Sequence, residues 1–193
     1  MDINKGPLER ARANIEKYGY SHLISTRLSD GLSKLSPGEA DSIVIAGMGG
    51  PLMVEILSRG KEIIMAAKEL ILQPQSEIYK VREFLQESEF IIIEENMVID
   101  EGKYYFVMKA VQAESCTKPD AYRLSKREHF HYGRLLLEGR HPVLKSYLLW
   151  DLGICGNILN ALKDESTARA EAGRQEISDR IELIQCGLNY YRD

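Results

Sequence analysis

The stretch Ile43-Val44-Ile45-Ala46-Gly47-Met48-Gly49-Gly50 does most to limit what this chain can become. A short β-branched run, of the kind that forms a buried strand, passes straight into glycines and then into Pro51-Leu52-Met53-Val54, which reads as an opening helix. A strand that ends in bare backbone just before a helix is the joint of a β-α unit, and open α/β sheets bind ligands at such carboxyl ends. Glycine there permits a positive φ and lets a ligand approach the main chain closely. The spacing is not GxGxxG, and a plain strand-to-helix turn would use the same residues, so the glycines alone name no ligand.

The surrounding pattern extends that unit into a sheet. Runs rich in β-branched and aromatic residues predict strands at 22–28, 41–46, 69–73, 89–99 and 103–112, and helical spacing fills 6–18, 50–66 and 76–88. Asp100-Glu101-Gly102-Lys103 joins the last two strands as a hairpin signal, so the sheet should end in an antiparallel pair. This gives an α/β architecture of Rossmann-like type over 1–115. From 116 to 193 the chain reads as helical. Leu144, Leu148 and Leu152 share a face with Ile158 and Leu162 further on, and Ile177, Ile181, Ile184 and Leu188 form a matching stripe, so two antiparallel helices should zip together.

Composition narrows the setting. With 193 residues, 44% hydrophobic and 28% charged, there is room for one sizeable core and an appendage. No apolar run reaches the roughly 20 residues of a membrane span, and the first residues carry no secretory h-region, so a cytoplasmic protein without membrane contact is expected. Cys116, Cys155 and Cys186 form no CxxC pair and suggest neither a disulfide framework nor zinc. A net charge of −4 gives no global reason to expect a nucleic-acid partner. Between Thr117 and Lys145, however, seven cations face three acids, and Lys126, Arg127 and Arg134 lie there beside Tyr122, Phe130 and Tyr132, a mixture suited to phosphate contact or to an ordinary solvated helix face. His129, His131 and His141 share the segment, but HxH with a third histidine ten residues on matches no metal site well.

Two further strand ends carry acids: Asp2 in Met1-Asp2-Ile3, and Asp30-Gly31-Leu32 after the predicted strand at 22–28. One acid can accept the two hydroxyls of a ribose, a second can accept from an adenine amine, and the glycines leave room for a reactive end, so the set suits a nucleoside cofactor.

At these residues the chain resembles a known family. Asp2-Ile3-Asn4-Lys5-Gly6-Pro7-Leu8-Glu9-Arg10-Ala11, Leu28-Ser29-Asp30-Gly31-Leu32, the AGMGG stretch and Leu70-Ile71-Leu72-Gln73-Pro74-Gln75, in that order, are similar to the bacterial tRNA (adenine-N1)-methyltransferases of the TrmK type. The resemblance implies a class I methyltransferase fold with a C-terminal coiled-coil-like helical domain, S-adenosyl-L-methionine as cofactor, tRNA as partner and N1 of adenine 22 as target. It implies cofactor contacts at Asp2, at Asp30, Gly31 and Leu32, and at Ala46, Gly47, Met48 and Gly49, with Gln73 and Pro74 near the target base. It assigns no catalytic side chain, and a monomer is expected. The Ala-Gly-Met-Gly-Gly turn, in place of the Asn-Pro-Pro type that receives an exocyclic amine, agrees with a ring-nitrogen target.

The family pattern opens with a strand and a DxGxDHxxLP loop, and here Met1 falls within what corresponds to the second strand. The expectation is therefore an initiator upstream, which in-frame stop codons just before Met1 would reject. Two other readings stay open: a nicotinamide-dependent oxidoreductase, disfavoured by the absence of GxGxxG, and an inactive fragment or remnant that retains tRNA binding or a structural role.

Overall fold

The computed structural model describes residues 1–163 and 165–192. Four strands, β1 (Ser42–Met48), β2 (Glu69–Pro74), β3 (Phe90–Asp100) and β4 (Lys103–Gln112), form one sheet in the order β1-β2-β4-β3. β1 and β2 are parallel, whereas β4 runs antiparallel to both β2 and β3, so the sheet does end in the antiparallel hairpin.

Binary patterning explains how this sheet is covered. Ile43 and Ile45 of β1, with Leu70 and Leu72 of β2, point to one face. There they pack with α2 (Gly50–Arg59), α3 (Lys61–Ala66) and α4 (Ile78–Glu87) through Met53, Leu57, Ile64, Val81 and Leu85. The opposite face is more open: Val44 is 65% exposed, and Ser42, Glu69 and Lys109 form a polar row on it. β1 is an edge of the sheet.

A second core sits on the hairpin. Met97 and Phe106 pack with residues of α5 (Arg127–Tyr132), α6 (Arg134–Glu138), α7 (Pro142–Ala161) and α8 (Ala168–Asn189). The predicted stripes meet there: Leu144, Leu148 and Ile184 are buried, and Leu152, Ile177, Ile181 and Leu188 pack around them. α7 and α8 run antiparallel. Leu148 lies against Gly187, and buried Asp151 accepts from Arg180 at 2.5 Å. Thr167 caps α8 by accepting from the Ala170 amide at 3.1 Å.

Two expectations need correction. Residues 22–28 form no strand; their one ladder contact is a parallel bridge between Leu28 and Asp2, and Leu23, Ile24 and Leu28 stay exposed. A β-prone sequence becomes a strand only where a partner supplies a ladder, and here the partner segment gives a single residue before α1 (Lys5–Lys17) begins. The helix expected over 50–66 breaks at Gly60, whose φ of −97° and ψ of 25° leave the helical range, and a glycine stands there because Leu32 Cδ1 lies 2.6 Å from the position of a Cβ. No helix among the described residues is long and apolar enough to cross a membrane.

Candidate active site at the strand ends

The glycine turn is built around a bulge. β1 and β2 pair in register up to Ala46 opposite Gln73, and pairing resumes with Met48 opposite Pro74, so Gly47 is one residue extra. Gly47 adopts φ 77°, which a bulged position of this kind demands and a side chain would strain. A bulge removes an amide from the ladder. The Gly47 N–H instead donates to Oε1 of Gln73 at 2.9 Å.

The next two glycines answer a different demand. The loop after β2 lies directly against them: the Gln75 amide donates to the Met48 carbonyl at 2.8 Å, and the Gly50 amide donates to the Ser76 carbonyl at 2.9 Å. A Cβ on Gly50 would sit 2.5 Å from the Ser76 carbonyl oxygen and 2.7 Å from that of Glu77, and one on Gly49 would meet the Ser76 hydroxyl at 3.0 Å. So two glycines are bare because a second loop touches them. At Gly47 the nearest atom to a Cβ is Gln75 Nε2 at 4.0 Å, which leaves that position open for a ligand. Met48 is half-buried against the core, and Ala46 is exposed. Pro74 is buried.

The acid-bearing turns meet the other end of α2, at Ile56, Arg59 and Gly60. Asp2 and Leu28 are bridged, and the Ser29 amide donates to the Asp2 carbonyl at 2.9 Å, so the two acidic segments are neighbours. Asp2 Oδ1 accepts from the Asn4 amide at 2.7 Å, which fixes the carboxylate at the start of α1. Gly31, at φ 54°, brings the next turn against Ile56 of α2, while Leu32 is buried beside Gly60. Asp30 Oδ2 accepts from Arg59 at 2.8 Å, and this hydrogen bond holds the guanidinium above its ordinary pKa. By their chemistry the residues fit the parts of a nucleoside cofactor: two carboxylates on adjacent turns can accept from hydroxyls and an amine, and the open bulge at Gly47 leaves its backbone approachable.

The basic segment is differently disposed. It is joined to the strand-end region through α4, which packs on α2 at one side and α5 at the other. Arg134 pairs with Glu138 at 2.8 Å and also donates to the Arg123 carbonyl, so its charge is offset within the fold. Lys126 donates to the Tyr190 hydroxyl at 3.1 Å, which raises its pKa, and Arg127 is exposed. The three histidines do not converge: buried His129 contacts Tyr190, His131 stacks on Tyr79 and His141 contacts Asn96. Burial lowers the pKa of His129 and of His131.

The residues that tie this helical region to the sheet escaped the sequence reading. Arg82, fully buried on α4, meets Glu95 Oε1 at 2.9 Å and donates to the Phe130 and His131 carbonyls at 2.8 and 3.0 Å. Glu95 Oε2 accepts from the Leu135 amide at 3.1 Å. The signal was an arginine inside the apolar stripe of Ile78, Val81 and Leu85, with glutamates interrupting the isoleucines of β3.

Comparison with known proteins settles the family. A model of the family described as TrmK, tRNA (adenine(22)-N(1))-methyltransferase, matches residues 1–186. The chain belongs to the TrmK family. The tRNA (adenine(22)-N(1))-methyltransferase of Bacillus subtilis is 31% identical over 185 residues, which make up 95% of this chain and 77% of that one. A crystal structure of the B. subtilis m1A22 tRNA methyltransferase TrmK superposes with a TM-score of 0.82, covering 96% of this chain and 79% of that chain at 31% identity. Streptococcus pneumoniae Sp1610 in complex with S-adenosyl-L-methionine gives a TM-score of 0.78 at 26% identity, covering 97% and 78%. The superpositions span both the sheet and the helical region.

Proposed function

We propose that this chain transfers the methyl group of S-adenosyl-L-methionine to N1 of adenine 22 in tRNA. The observation that carries the reading is the bulged Gly47 turn at the carboxyl end of β1, in a chain of the TrmK family. Residues 1–115 hold the cofactor and residues 116–193 form the helical part.

When bound, the cofactor supplies an electrophilic methyl on a sulfonium. The protein's own work is placement. Asp2, with one oxygen fixed by Asn4, offers the other to ribose hydroxyls. Asp30, with one oxygen on Arg59, offers the other to the adenine amine, beside Gly31 and Leu32. Ala46, Gly47, Met48 and Gly49 form a floor without large polar groups under the reacting end, and Gln73 and Pro74 border it on the side of the target base. N1 of adenine already carries a lone pair, so alignment and exclusion of water matter more than a strong base. The target base must leave its stack to reach the turn.

Lys126 and Arg127 meet tRNA phosphate, with Arg134 contributing less because Glu138 offsets it. Calorimetric titration of S-adenosyl-L-methionine and of tRNA, into the wild-type chain and into Lys126→Glu/Arg127→Glu, tests both halves of the reading. The wild type should bind both. The double variant should keep the cofactor affinity but bind tRNA more weakly, with its log-log salt slope reduced by about 2, one unit per lost phosphate contact. A folded wild type that does not bind the cofactor rejects the methyltransferase reading for this chain, and unchanged tRNA affinity in the variant removes this patch.

A further inference from the structure

The bulge at Gly47 leaves a main-chain donor that the ladder no longer serves, at the open turn where the reading above seats the reacting end of the cofactor. An amide in such a place is free to rotate with its peptide plane unless a partner fixes it. Several partners are conceivable, but the structure gives one: Gln73, which sits opposite Ala46 and reaches forward along β2 to accept from Gly47 at 2.9 Å. The other arm of the same amide donates to the Pro74 carbonyl at 3.3 Å. The side chain is therefore engaged at both ends. Its carbonyl oxygen faces the bulge because only an oxygen can receive that N–H, and its NH2 turns toward the loop after β2.

We infer that Gln73 is a positioning residue for the reaction: it holds the peptide plane of Gly47, and through it the floor formed by Gly47 and Met48, in the one orientation that accepts the cofactor. This rests on the methyltransferase reading for its consequence and on the hydrogen bond for its cause. It differs from a direct role of Gln73 on the target base, because the side chain acts here through the backbone of the neighbouring strand. Among the described residues the Gly47 amide has no other hydrogen bond, and the loop at 75–77 is occupied in bracing Met48 and Gly50 by its own main chain.

Two replacements separate an acceptor role from a packing role. Gln73→Met keeps length and volume but offers no oxygen, whereas Gln73→Glu keeps an acceptor oxygen at the same reach. Amide hydrogen exchange of Gly47 in the cofactor-free chain reads the hydrogen bond itself, and calorimetry with S-adenosyl-L-methionine reads its consequence. In Gln73→Met the Gly47 amide should exchange faster while amides in the middle of β1 stay protected, and cofactor affinity should fall by about tenfold, the size expected for one orphaned hydrogen-bonding group. Gln73→Glu should restore the protection of Gly47 and an affinity above that of Gln73→Met, although it gives up the donor to the Pro74 carbonyl. Unchanged Gly47 exchange in Gln73→Met, unchanged affinity there, or failure of Gln73→Glu to rescue would each overturn the inference. If the wild-type chain itself fails to bind the cofactor, the methyltransferase reading fails, and the exchange of Gly47 still decides whether Gln73 holds the turn.

Discussion

Glu95→Ala should lower the unfolding free energy by about 3–5 kcal/mol, the loss expected when one partner of a buried ion pair is removed. Arg82 has no exposed surface, and the Glu95 side chain retains 1%, so the arginine left behind would keep its charge inside the protein without a counterion. The Leu135 amide would also lose its acceptor. Urea denaturation followed by circular dichroism measures the change. The paired replacement Arg82→Met/Glu95→Leu should be less damaging than Glu95→Ala, since it removes both charges. It should not restore the wild type fully, because the Phe130 and His131 carbonyls would still lose the Arg82 donor. A loss below about 1 kcal/mol in Glu95→Ala would place the pair among solvated salt bridges and remove it as the joint between sheet and helices.

Gly50→Ala should be the most damaging single methyl group in the strand-end region. Its Cβ would overlap two main-chain carbonyl oxygens, at 2.5 and 2.7 Å, and backbone has no flexible end to move aside. The loop at 75–77 would have to separate from the start of α2, losing the hydrogen bonds from Gly50 to Ser76 and from Gln75 to Met48. Overpacking of this kind costs about 1–3 kcal/mol, and cofactor binding should weaken at least tenfold because the bulge rests on the same contacts. Gly153→Ala is the matched control. It lies inside α7 with nothing within 4 Å of the added carbon, so helix propensity alone applies and stability should rise by up to about 1 kcal/mol. Equal effects from the two replacements would show that the glycine turn is not braced as described.

These contrasts indicate which parts of the molecule could be seen in the sequence. The strands at 42–48, 69–74, 90–100 and 103–112 were legible to within two residues because each is an apolar run that ends in a turn signal, and the hairpin was legible from Glu101-Gly102. The stripes of α7 and α8 were legible for the same reason. Two local features were not. The segment 22–28 has the composition of a strand, but ladder formation depends on a partner that lies elsewhere in the chain. The break at Gly60 sits where Leu32, remote in sequence, occupies the side-chain space and requires a glycine.

The site divides along a similar line. Motif order brought Asp2, Asp30 and the AGMGG stretch to notice, but not the reason for each glycine. Gly47 serves a bulge, whereas Gly49 and Gly50 make way for another loop, and that distinction needs the register between β1 and β2. Gln73 was noticed for its place after a strand, but its bond to Gly47 follows from the one-residue slip that only the paired strands reveal. The basic segment illustrates the converse: counting charges made Arg134 equivalent to Lys126 and Arg127, and the fold pairs it with Glu138.

The most direct test is what this chain does to tRNA. The measurement is methyl transfer from S-adenosyl-L-methionine to an unmodified tRNA transcript carrying adenine at position 22, with the product located by nucleoside mass spectrometry and by arrest of reverse transcription. The product should be 1-methyladenosine at position 22, with none on a transcript carrying another base there. A folded chain that leaves adenine 22 unmethylated, or methylates its exocyclic amine instead of N1, would contradict the proposed activity.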